Sequence, residues 1–279
     1  MVYLNGEFLP LDQAKVSVLD RGFLFGDGVY EVIPVYGGRM LRWEDHWRRL
    51  QDSLTGIRLA LALERDELAG ILERLIVAGG HDQYIYLQIT RGAPPKRDHA
   101  FPADCPPTVF AMASPIAYFP RTEGVRAVTV EDIRWKWCHI KAITLLGNIL
   151  MRQHAVDVGC AEAILVRNGR VTEGAASNVF VVLKGSLVTP PKSSELLPGI
   201  TRDLVLELAR DHGFHYLEAP LTLADMERAE EIWLTSSTRE ILPVTELDGR
   251  PVGKGGPGPV WRRMDELYQA FKQELREGK

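Results

Sequence analysis

The chain has 279 residues, of which 46% are hydrophobic and 25% are charged, and its formal net charge is −4 at pH 7. This balance is typical of a soluble globular protein and excludes a bias toward nucleic acid or anionic membranes. The length fits two domains, each large enough to bury its own core. We therefore expect small-molecule ligands.

The cysteines and the first residues indicate a cellular compartment. Cys105, Cys138 and Cys160 are odd in number and widely spaced, so they predict neither a disulfide framework nor a metal site. The opening MVYLNGEFLP lacks a basic stretch followed by an apolar core. No segment reaches the roughly 18 apolar residues of a membrane span. We expect a cytoplasmic protein without a metal ion.

The N-terminal part begins with sheet and continues into helix. Asn5-Gly6 predicts a tight hairpin within residues 2–9, because this pair favours positive φ angles. A mostly extended stretch follows. Apolar residues at helical spacing then predict one helix over 43–57 and a second over about 68–76.

A long loop lies between two predicted strands at 83–90 and 109–112. Its sequence, RGAPPKRDHAFPADCPP, combines prolines with charges, which opposes regular structure. A loop of this length in a compact domain usually has a function.

A second proline-rich segment, PIAYFPRTEG, marks a domain boundary, because its prolines and glycine oppose both helix and strand. We predict a smaller domain over 1–117, a linker over 118–124 and a larger domain over 125–279. Patterning in the second domain predicts strands at 125–130, 163–166, 179–183 and 232–234, an Asn168-Gly169 turn, and helices at about 143–158, 201–211 and from 260. The order lacks a regular βαβ repeat, which favours an α+β fold with mixed sheets.

Several residues could carry chemistry, although each has an ordinary structural explanation. Lys141, in WKWCHIKAITLLGNIL, is either a surface lysine or a pocket nucleophile, and its immediate surroundings favour the surface. Arg49, Glu173, the helix start in LLPGITR and the hydroxyls of LTSSTRE are likewise ordinary when taken singly. As a set they match pyridoxal 5'-phosphate, which needs a lysine, a phosphate site and an acidic partner for its ring nitrogen.

The chain resembles a known family in six blocks that occur in the same order and spacing. The blocks are RGFLFGDGVYEVIPVYGGRM, HWRRL, IKAITLLGNIL, VTEGAASNVF, LLPGITR and LTSSTREILPV. They are similar to those of the fold-type IV pyridoxal-phosphate enzymes, which comprise branched-chain aminotransferases, D-amino acid aminotransferases and aminodeoxychorismate lyases. The resemblance implies a two-domain α+β fold with the cofactor in the interdomain cleft, and a homodimer.

The resemblance also assigns roles to individual residues. Lys141 corresponds to the Schiff-base lysine, which moves a proton between substrate and cofactor, and Glu173 corresponds to the partner of the pyridine nitrogen. Tyr30 corresponds to a residue that faces the substrate. The remaining cofactor contacts implied by the resemblance are Arg49, Leu197, Ile200, Thr201, Ser236 and Ser237.

The loop over 91–107 indicates which class of substrate the chain uses. Arg97 and His99 resemble the R-x-H carboxylate trap of D-amino acid aminotransferases, although the stretch from Ala93 to Lys96 is one residue longer than usual. We therefore predict transamination of D-amino acids, such as D-alanine and D-glutamate, with 2-oxoglutarate or pyruvate as acceptor. An L-branched-chain aminotransferase and an aminodeoxychorismate lyase remain the alternatives.

Overall fold

The computed structural model describes residues 1–79, 81–117 and 119–278. The chain divides into two compact units. Unit 1 comprises Met1–Ala117, Ile140–Leu145 and Leu275–Lys279, and unit 2 comprises Tyr118–His139 and Leu146–Glu274.

This division differs from the predicted domains in two stretches. Ile140–Leu145, which contains Lys141, and the C-terminal Leu275–Lys279 both belong to unit 1 instead of the second domain. The first stretch joins unit 1 because Ala142 forms a β-bridge with Val29. The predicted linker over 118–124 stays a prediction, and its residue Tyr118 lies outside the described residues.

Unit 1 is built on an antiparallel sheet. Its strands are β1 (Val2–Leu4), β2 (Glu7–Leu9), β3 (Gly28–Tyr36), β4 (Arg39–Met40), β5 (Gln83–Thr90) and β6 (Thr108–Pro115). Its helices are α1 (Arg21–Phe25), α2 (Trp43–Gly56) and α3 (Arg65–Glu73), with a 3-10 turn at Leu11–Gln13. The strand order is β2-β1-β6-β5-β3-β4.

The core of unit 1 forms where α2 and α3 cover one face of this sheet. Leu50 of α2 and Leu68 of α3 are buried in one cluster with inward-facing strand residues such as Ile33 and Ile85. Strand residues alternate between the two faces of a sheet. On β3 this alternation places Val29, Glu31 and Ile33 on the covered face and Tyr30 on the other.

Unit 2 is built on a mixed sheet. Its strands are β7 (Val125–Glu131), β8 (Glu162–Arg167), β9 (Arg170–Gly174), β10 (Asn178–Leu183), β11 (Ser186–Thr189), β12 (Tyr216–Glu218), β13 (Leu221–Thr222), β14 (Glu231–Ser236), β15 (Glu240–Leu247) and β16 (Arg250–Pro251). Its helices are α4 (Leu146–Asp157), α5 (Ile200–Asp211), α6 (Leu223–Glu227) and α7 (Pro259–Glu277), with a 3-10 turn at Arg121–Glu123. The last turn of α7 is assigned to unit 1.

The strand order in unit 2 is β12-β11-β10-β14-β15-β7-β8-β9-β13, with β16 paired to β15. The β7–β8, β7–β15 and β11–β12 pairs are parallel, and the others are antiparallel. Alternate residues of β14 enter different cores. Ile232 and Leu234 lie in one cluster, whereas Trp233 packs with α5 and α7 in another.

Most predicted elements are confirmed, including the α+β class, the hairpin at Asn5-Gly6 and the strand at 83–90. The predicted helix over 143–158 is wrong at its start, because α4 begins at Leu146. The reason is tertiary: the backbone N–H of Ile143 donates to the carbonyl of Gly28, so this residue belongs to a strand-like contact. Among the described residues, no helix is long and apolar enough to cross a membrane.

Candidate active site

Lys141 is fixed to unit 1 through its backbone. Its N–H donates to Ser53 Oγ at 3.1 Å, and its carbonyl accepts from the N–H of Tyr30 at 3.0 Å. Its Nζ lies 4.1 Å from the centroid of the Tyr30 ring. In the part of the chain that the structure describes, no carboxylate pairs with this amine. The main chain of Lys141 is therefore held at a defined position, and its amine lies next to an aromatic face.

A buried ionic cluster of Glu31, His46 and Arg49 forms part of unit 1. Arg49 binds the carboxylate of Glu31 with two hydrogen bonds, from Nε at 2.8 Å and from Nη2 at 2.7 Å. His46 Nδ1 lies 2.7 Å from Oε2 of the same carboxylate. Glu31 has no exposed surface, and His46 is 1% exposed.

The charges in this cluster determine the pKa values of its members. Burial alone would raise the pKa of the Glu31 carboxyl, but the charge and hydrogen bonds of Arg49, together with His46, hold that pKa well below its ordinary value. Burial lowers the pKa of His46, and the nearby cations of Arg49 and Lys141 lower it further, against the opposing effect of Glu31. Glu31 is thus a permanent anion whose charge fixes the guanidinium of Arg49.

This cluster forms because its polar residues occupy buried positions of α2 and β3. His46, Arg49 and Ser53 are spaced three and four residues apart on α2, so they share its buried face with Leu50 and Leu54. Glu31 lies at an inward position of β3. Our sequence analysis missed Glu31 and His46. An acidic residue at a core position of a strand is the signal that could have found Glu31.

The structure brings the predicted carboxylate trap together around one aromatic ring. The guanidinium carbon of Arg97 lies 4.8 Å from the centroid of the Phe25 ring, and the His99 ring centroid lies 5.2 Å from the same ring. Both side chains are exposed. The guanidinium of Arg97 and the imidazole of His99 therefore both lie against the Phe25 ring.

The backbone of this loop is held by a second buried arginine. Arg21, 4% exposed, donates from Nη1 to the carbonyl of Asp98 at 2.5 Å and from Nη2 to that of His99 at 3.2 Å. Its Nε pairs with Asp27 at 2.8 Å. Sequence reasoning missed Arg21, although it lies in the RGFLFGDG block. It fixes the segment between Arg97 and His99.

Glu173 is a buried carboxylate of unit 2, 4% exposed. Oε1 accepts from Arg134 Nη1 at 2.5 Å, and Oε2 accepts from the N–H of Leu197 and from Asn178 Nδ2, both at 3.1 Å. Burial raises the pKa of Glu173 to about 7, although Arg134 opposes this shift. A carboxylate offers about four acceptor positions, so these donors leave one for a further partner.

Arg134 is shared between two carboxylates. It donates to Asp132 from Nε and from Nη2, both at 2.9 Å, while Nη1 serves Glu173. Asp132 also pairs with Arg167 at 3.0 Å. Because Asp132 accepts from two of the three guanidinium nitrogens, the positive charge of Arg134 neutralises Glu173 only in part.

The start of α5 is a ready donor site. The first intrahelical bond runs from the Asp203 N–H to the Gly199 carbonyl, so the N–H groups of Ile200 and Thr201 precede the helical ladder. These groups and the helix dipole favour an anion. Only glycine fits at 199, because an added Cβ would lie 1.9 Å from Asn178 Oδ1.

The hydroxyl segment lies at the end of β14, close to the same place. Thr235 is the register partner of Asn178, which contacts both Gly199 and Glu173. Ser236 is the last residue of β14, and Ser237 follows in the turn; both are partly buried. The buried hydroxyl of Thr235 makes no hydrogen bond with the described residues. This strand end therefore carries hydroxyls that the fold itself does not use.

Each unit thus gathers its own share of the predicted site residues. Unit 1 positions Lys141 beside Tyr30, Arg49 within its buried cluster, and Arg97 with His99. Unit 2 joins Glu173 to Leu197 through a hydrogen bond, and places Ile200 and Thr201 at the start of α5. Perturbed carboxylates such as Glu173, and helix starts with free N–H groups such as that of α5, are features that occur often at enzyme active sites.

Comparison with known proteins identifies the family. The family model described as amino-transferase class IV matches residues 28–247. A D-alanine aminotransferase from Bacillus licheniformis is 38% identical over 271 residues, which cover 96% of this chain and 95% of that protein. The chain therefore belongs to the class IV aminotransferase family.

Solved structures agree with this assignment over nearly the whole chain. A branched-chain aminotransferase from the archaeon Thermoproteus uzoniensis matches with a TM-score of 0.89 at 30% identity, covering 100% of this chain and 95% of that chain. A hypothetical aminotransferase from Mycobacterium tuberculosis, solved in its PLP-bound form, matches with a TM-score of 0.83 at 28% identity, covering 97% and 98%. These matches confirm the resemblance that the six sequence blocks indicated.

Proposed function

We propose that this chain transfers the amino group of D-amino acids, such as D-alanine and D-glutamate, to 2-oxoglutarate or pyruvate with the help of pyridoxal 5'-phosphate. The 38% identity to a D-alanine aminotransferase supports the reaction, and the cofactor bound in a structural relative supports the cofactor. The observation that carries the D-amino acid assignment is the Arg97 and His99 pair, which the loop presents on one ring.

The donor set of unit 2 fits this cofactor. The N–H groups of Ile200 and Thr201, with the hydroxyls of Ser236 and Ser237, are suited to a phosphate. The orphaned Thr235 hydroxyl is a further unused donor at the same strand end. Arg49 stays a predicted phosphate contact, because a guanidinium suits phosphate oxygens.

Glu173 suits the ring nitrogen. It keeps one acceptor position, and its pKa of about 7 means that a neighbouring cation would bring it fully into the anionic form. Leu197, whose N–H is bound to Glu173, would place its apolar side chain under the ring. These residues therefore suit the phosphate and the ring nitrogen of the cofactor.

Lys141 would act as the covalent anchor and the proton carrier. When bound, pyridoxal phosphate supplies a ring that accepts electrons from the substrate Cα. Lys141 itself would act as the general base that takes the proton from the substrate Cα and as the general acid that later returns it. The backbone bonds to Ser53 and Tyr30 hold the lysine main chain still during this transfer.

Arg97 and His99 would select the substrate. A guanidinium and an imidazole can bind one α-carboxylate together. Fixing the carboxylate on one side leaves only the D-isomer with its Cα hydrogen toward Lys141. We assign stereoselectivity to this pair, and we assign the rigidity of the pair to Arg21 behind it.

The test compares amino donors in one assay. Purified protein with pyridoxal phosphate and 2-oxoglutarate is given D-alanine, D-glutamate or L-leucine, and the 2-oxo acid product is measured. The proposal expects turnover of the D-amino acids. Turnover of L-leucine alone would replace it with a branched-chain aminotransferase. Release of pyruvate from aminodeoxychorismate without an acceptor would replace it with the lyase.

Substitution of the trap sharpens this test. Arg97→Gln removes a charged hydrogen-bond donor, so KM for D-alanine should rise by about tenfold or more while the cofactor absorbance stays unchanged. Lys96→Gln, at the neighbouring exposed residue, is the matched control and should change KM much less. Equal effects from the two variants would remove the trap assignment.

We also infer a homodimer in the cytoplasm. The exposed face of α4 carries Leu146, Ile149 and Leu150, which are 67%, 59% and 55% exposed. Trp135 and Trp137 are exposed as well. Such an apolar surface usually contacts protein, and a second copy is the partner that the family resemblance implies. Sedimentation of wild type and Ile149→Lys tests the dimer, and cell fractionation tests the location.

A further inference from the structure

The turn between β14 and β15 contains a residue in an unusual conformation. Ser236 and Glu240 are register partners, so residues 237–239 form a three-residue connection. Glu240 has φ of +57°, in the left-handed region. Three-residue hairpin loops often end with a residue in this conformation, and that residue is usually glycine.

A glutamate at this position has an energetic cost. A non-glycine residue held in the left-handed region costs on the order of 1 kcal/mol or more. Such a cost persists only where surrounding contacts hold the residue in place. The side chain of Glu240 must therefore make contacts that a glycine would lack.

Those contacts come mainly from α7. Lys272 Nζ pairs with Glu240 Oε1, and Gln269 Nε2 donates to Oε2 at 2.7 Å. Gln269 also donates to Asp265 Oδ1 at 3.2 Å, and Arg121 Nε pairs with this oxygen at 2.9 Å. Glu240 is 8% exposed and Lys272 is 4% exposed, so the ion pair of this network is buried.

Helix α7, which supplies the partners of Glu240, is itself hydrogen-bonded to β15. Asp265, Gln269 and Lys272 follow a helical stripe on α7 beside the buried Tyr268. Trp261 Nε1 donates to the carbonyl of Ile241 at 3.1 Å, immediately after Glu240. The network therefore connects the turn to a rigid support.

We propose that Glu240 is a positioning residue for the cofactor phosphate: through Lys272 and Gln269 it sets the backbone from which Ser236 and Ser237 present their hydroxyls. This inference rests on the proposed function, which assigns these two serines to the phosphate. It adds a residue that touches neither cofactor nor substrate. The contacts of this network offset the conformational cost of φ +57° at Glu240, and they hold the turn in one geometry.

The test separates the phosphate from the rest of the cofactor. Pyridoxal and pyridoxal phosphate differ only in the phosphate group. The dissociation constant of pyridoxal therefore reports on the site without the phosphate, and the ratio of the two constants reports on the phosphate contacts. The test variant is Glu240→Gly with Lys272→Met, because removing both buried charges together avoids leaving one of them without its partner. Glu266→Gln, on the exposed side of α7, is the matched control.

We expect a loss of affinity for pyridoxal phosphate only. The double variant should bind pyridoxal phosphate at least about tenfold more weakly and bind pyridoxal as wild type does. Glu266→Gln should leave both constants unchanged. Equal weakening for both ligands, or no weakening for either, would overturn the positioning role.

A second variant covers the case in which the double variant does not fold. Gln269→Leu removes a neutral hydrogen bond to Glu240 and leaves its ion pair with Lys272 intact, so it should bind pyridoxal phosphate more weakly than wild type, with no difference for pyridoxal. Equal affinity of Gln269→Leu and wild type for pyridoxal phosphate would overturn the role. Failure of the proposed function looks different, because wild-type protein would then bind neither ligand at Lys141.

Discussion

Glu31 in unit 1 and Glu173 in unit 2 are both buried carboxylates paired with an arginine, yet their pKa values move in opposite directions. The pKa of Glu31 lies well below its ordinary value, whereas that of Glu173 is raised to about 7. Burial raises both, so the difference comes from the partners. Each carboxylate has one arginine beside it.

The two arginines differ in how their donors are divided. Arg49 gives two hydrogen bonds to Glu31, and His46 adds a third contact. Arg134 gives one hydrogen bond to Glu173 and two to Asp132, whose negative charge also repels Glu173. A bidentate pair compensates for burial, and a shared arginine does not.

This difference suits two different tasks. A carboxylate that is always charged can hold a guanidinium in place, which is the role we assign to Glu31 toward Arg49. A carboxylate near its titration point responds to a new cation, which is the role we assign to Glu173 toward a protonated ring nitrogen. Substitutions should therefore affect the two residues in different ways.

The largest expected effect is on stability in unit 1. Glu31→Gln removes the anion that compensates for the buried charge of Arg49, so the free energy of unfolding should fall by about 3 kcal/mol or more. Urea titration at pH 7 measures this. Glu44→Gln lies on the same helix as Arg49, in an exposed pair with Arg65, and should cost less than about 1 kcal/mol. Similar losses in both variants would contradict the structural role of Glu31.

The second effect is a pH dependence that arises from Glu173. Its pKa in the folded protein is raised from 4.5 to about 7, so its contribution to stability is complete below about 4.5 and is lost as the pH rises through 7. In cofactor-free protein the free energy of unfolding should fall by about 3 kcal/mol through this effect. Glu173→Gln should remove this slope between pH 5 and pH 8.

Glu31 provides the contrast within the same experiment. Its folded-state pKa is lowered, so its contribution is present above its ordinary value of 4.5 and is lost only in strong acid. Glu31 should therefore add no slope between pH 5 and pH 8. Glu195→Gln, at the edge of the unit 2 network, should retain the wild-type slope. An unchanged slope in Glu173→Gln would show that the slope arises from another group.

The smallest effect tests why the two carboxylates differ. Asp132→Asn removes a repulsive charge and releases Arg134 toward Glu173, so the pKa of Glu173 should fall from about 7 toward its ordinary 4.5. The midpoint of the stability profile, or of a carboxyl NMR titration, should move to lower pH. A midpoint that stays in place or rises would contradict the role assigned to Asp132.

Local sequence signals predicted much of the fold. The Asn5-Gly6 hairpin and the strand at 83–90 were predicted correctly, because turn chemistry and strand patterning are local. The start of α4 was missed because Ile143 bonds to Gly28, which is far away in sequence. The helix over 68–76 was predicted to end too late, since α3 ends at Glu73.

The site was less accessible to sequence reasoning than the fold. Lys141, Glu173 and Arg49 came from the family resemblance, and their roles stay proposals. Their supporting residues are separated from them along the chain, as Arg134 is from Glu173 by 39 positions and Glu31 from Arg49 by 18. Pairs at these separations form only after strands and helices pack, so no local pattern indicates them. Polar residues at core positions were the one available signal.

The central claim is that Lys141 carries pyridoxal phosphate covalently. Purified protein loaded with the cofactor, reduced with borohydride, digested and mapped by mass spectrometry tests this directly. The account predicts one pyridoxyl-modified peptide, with the modification at Lys141, and its loss in Lys141→Ala. Modification at another lysine, or an unmodified peptide at this position, would contradict the account.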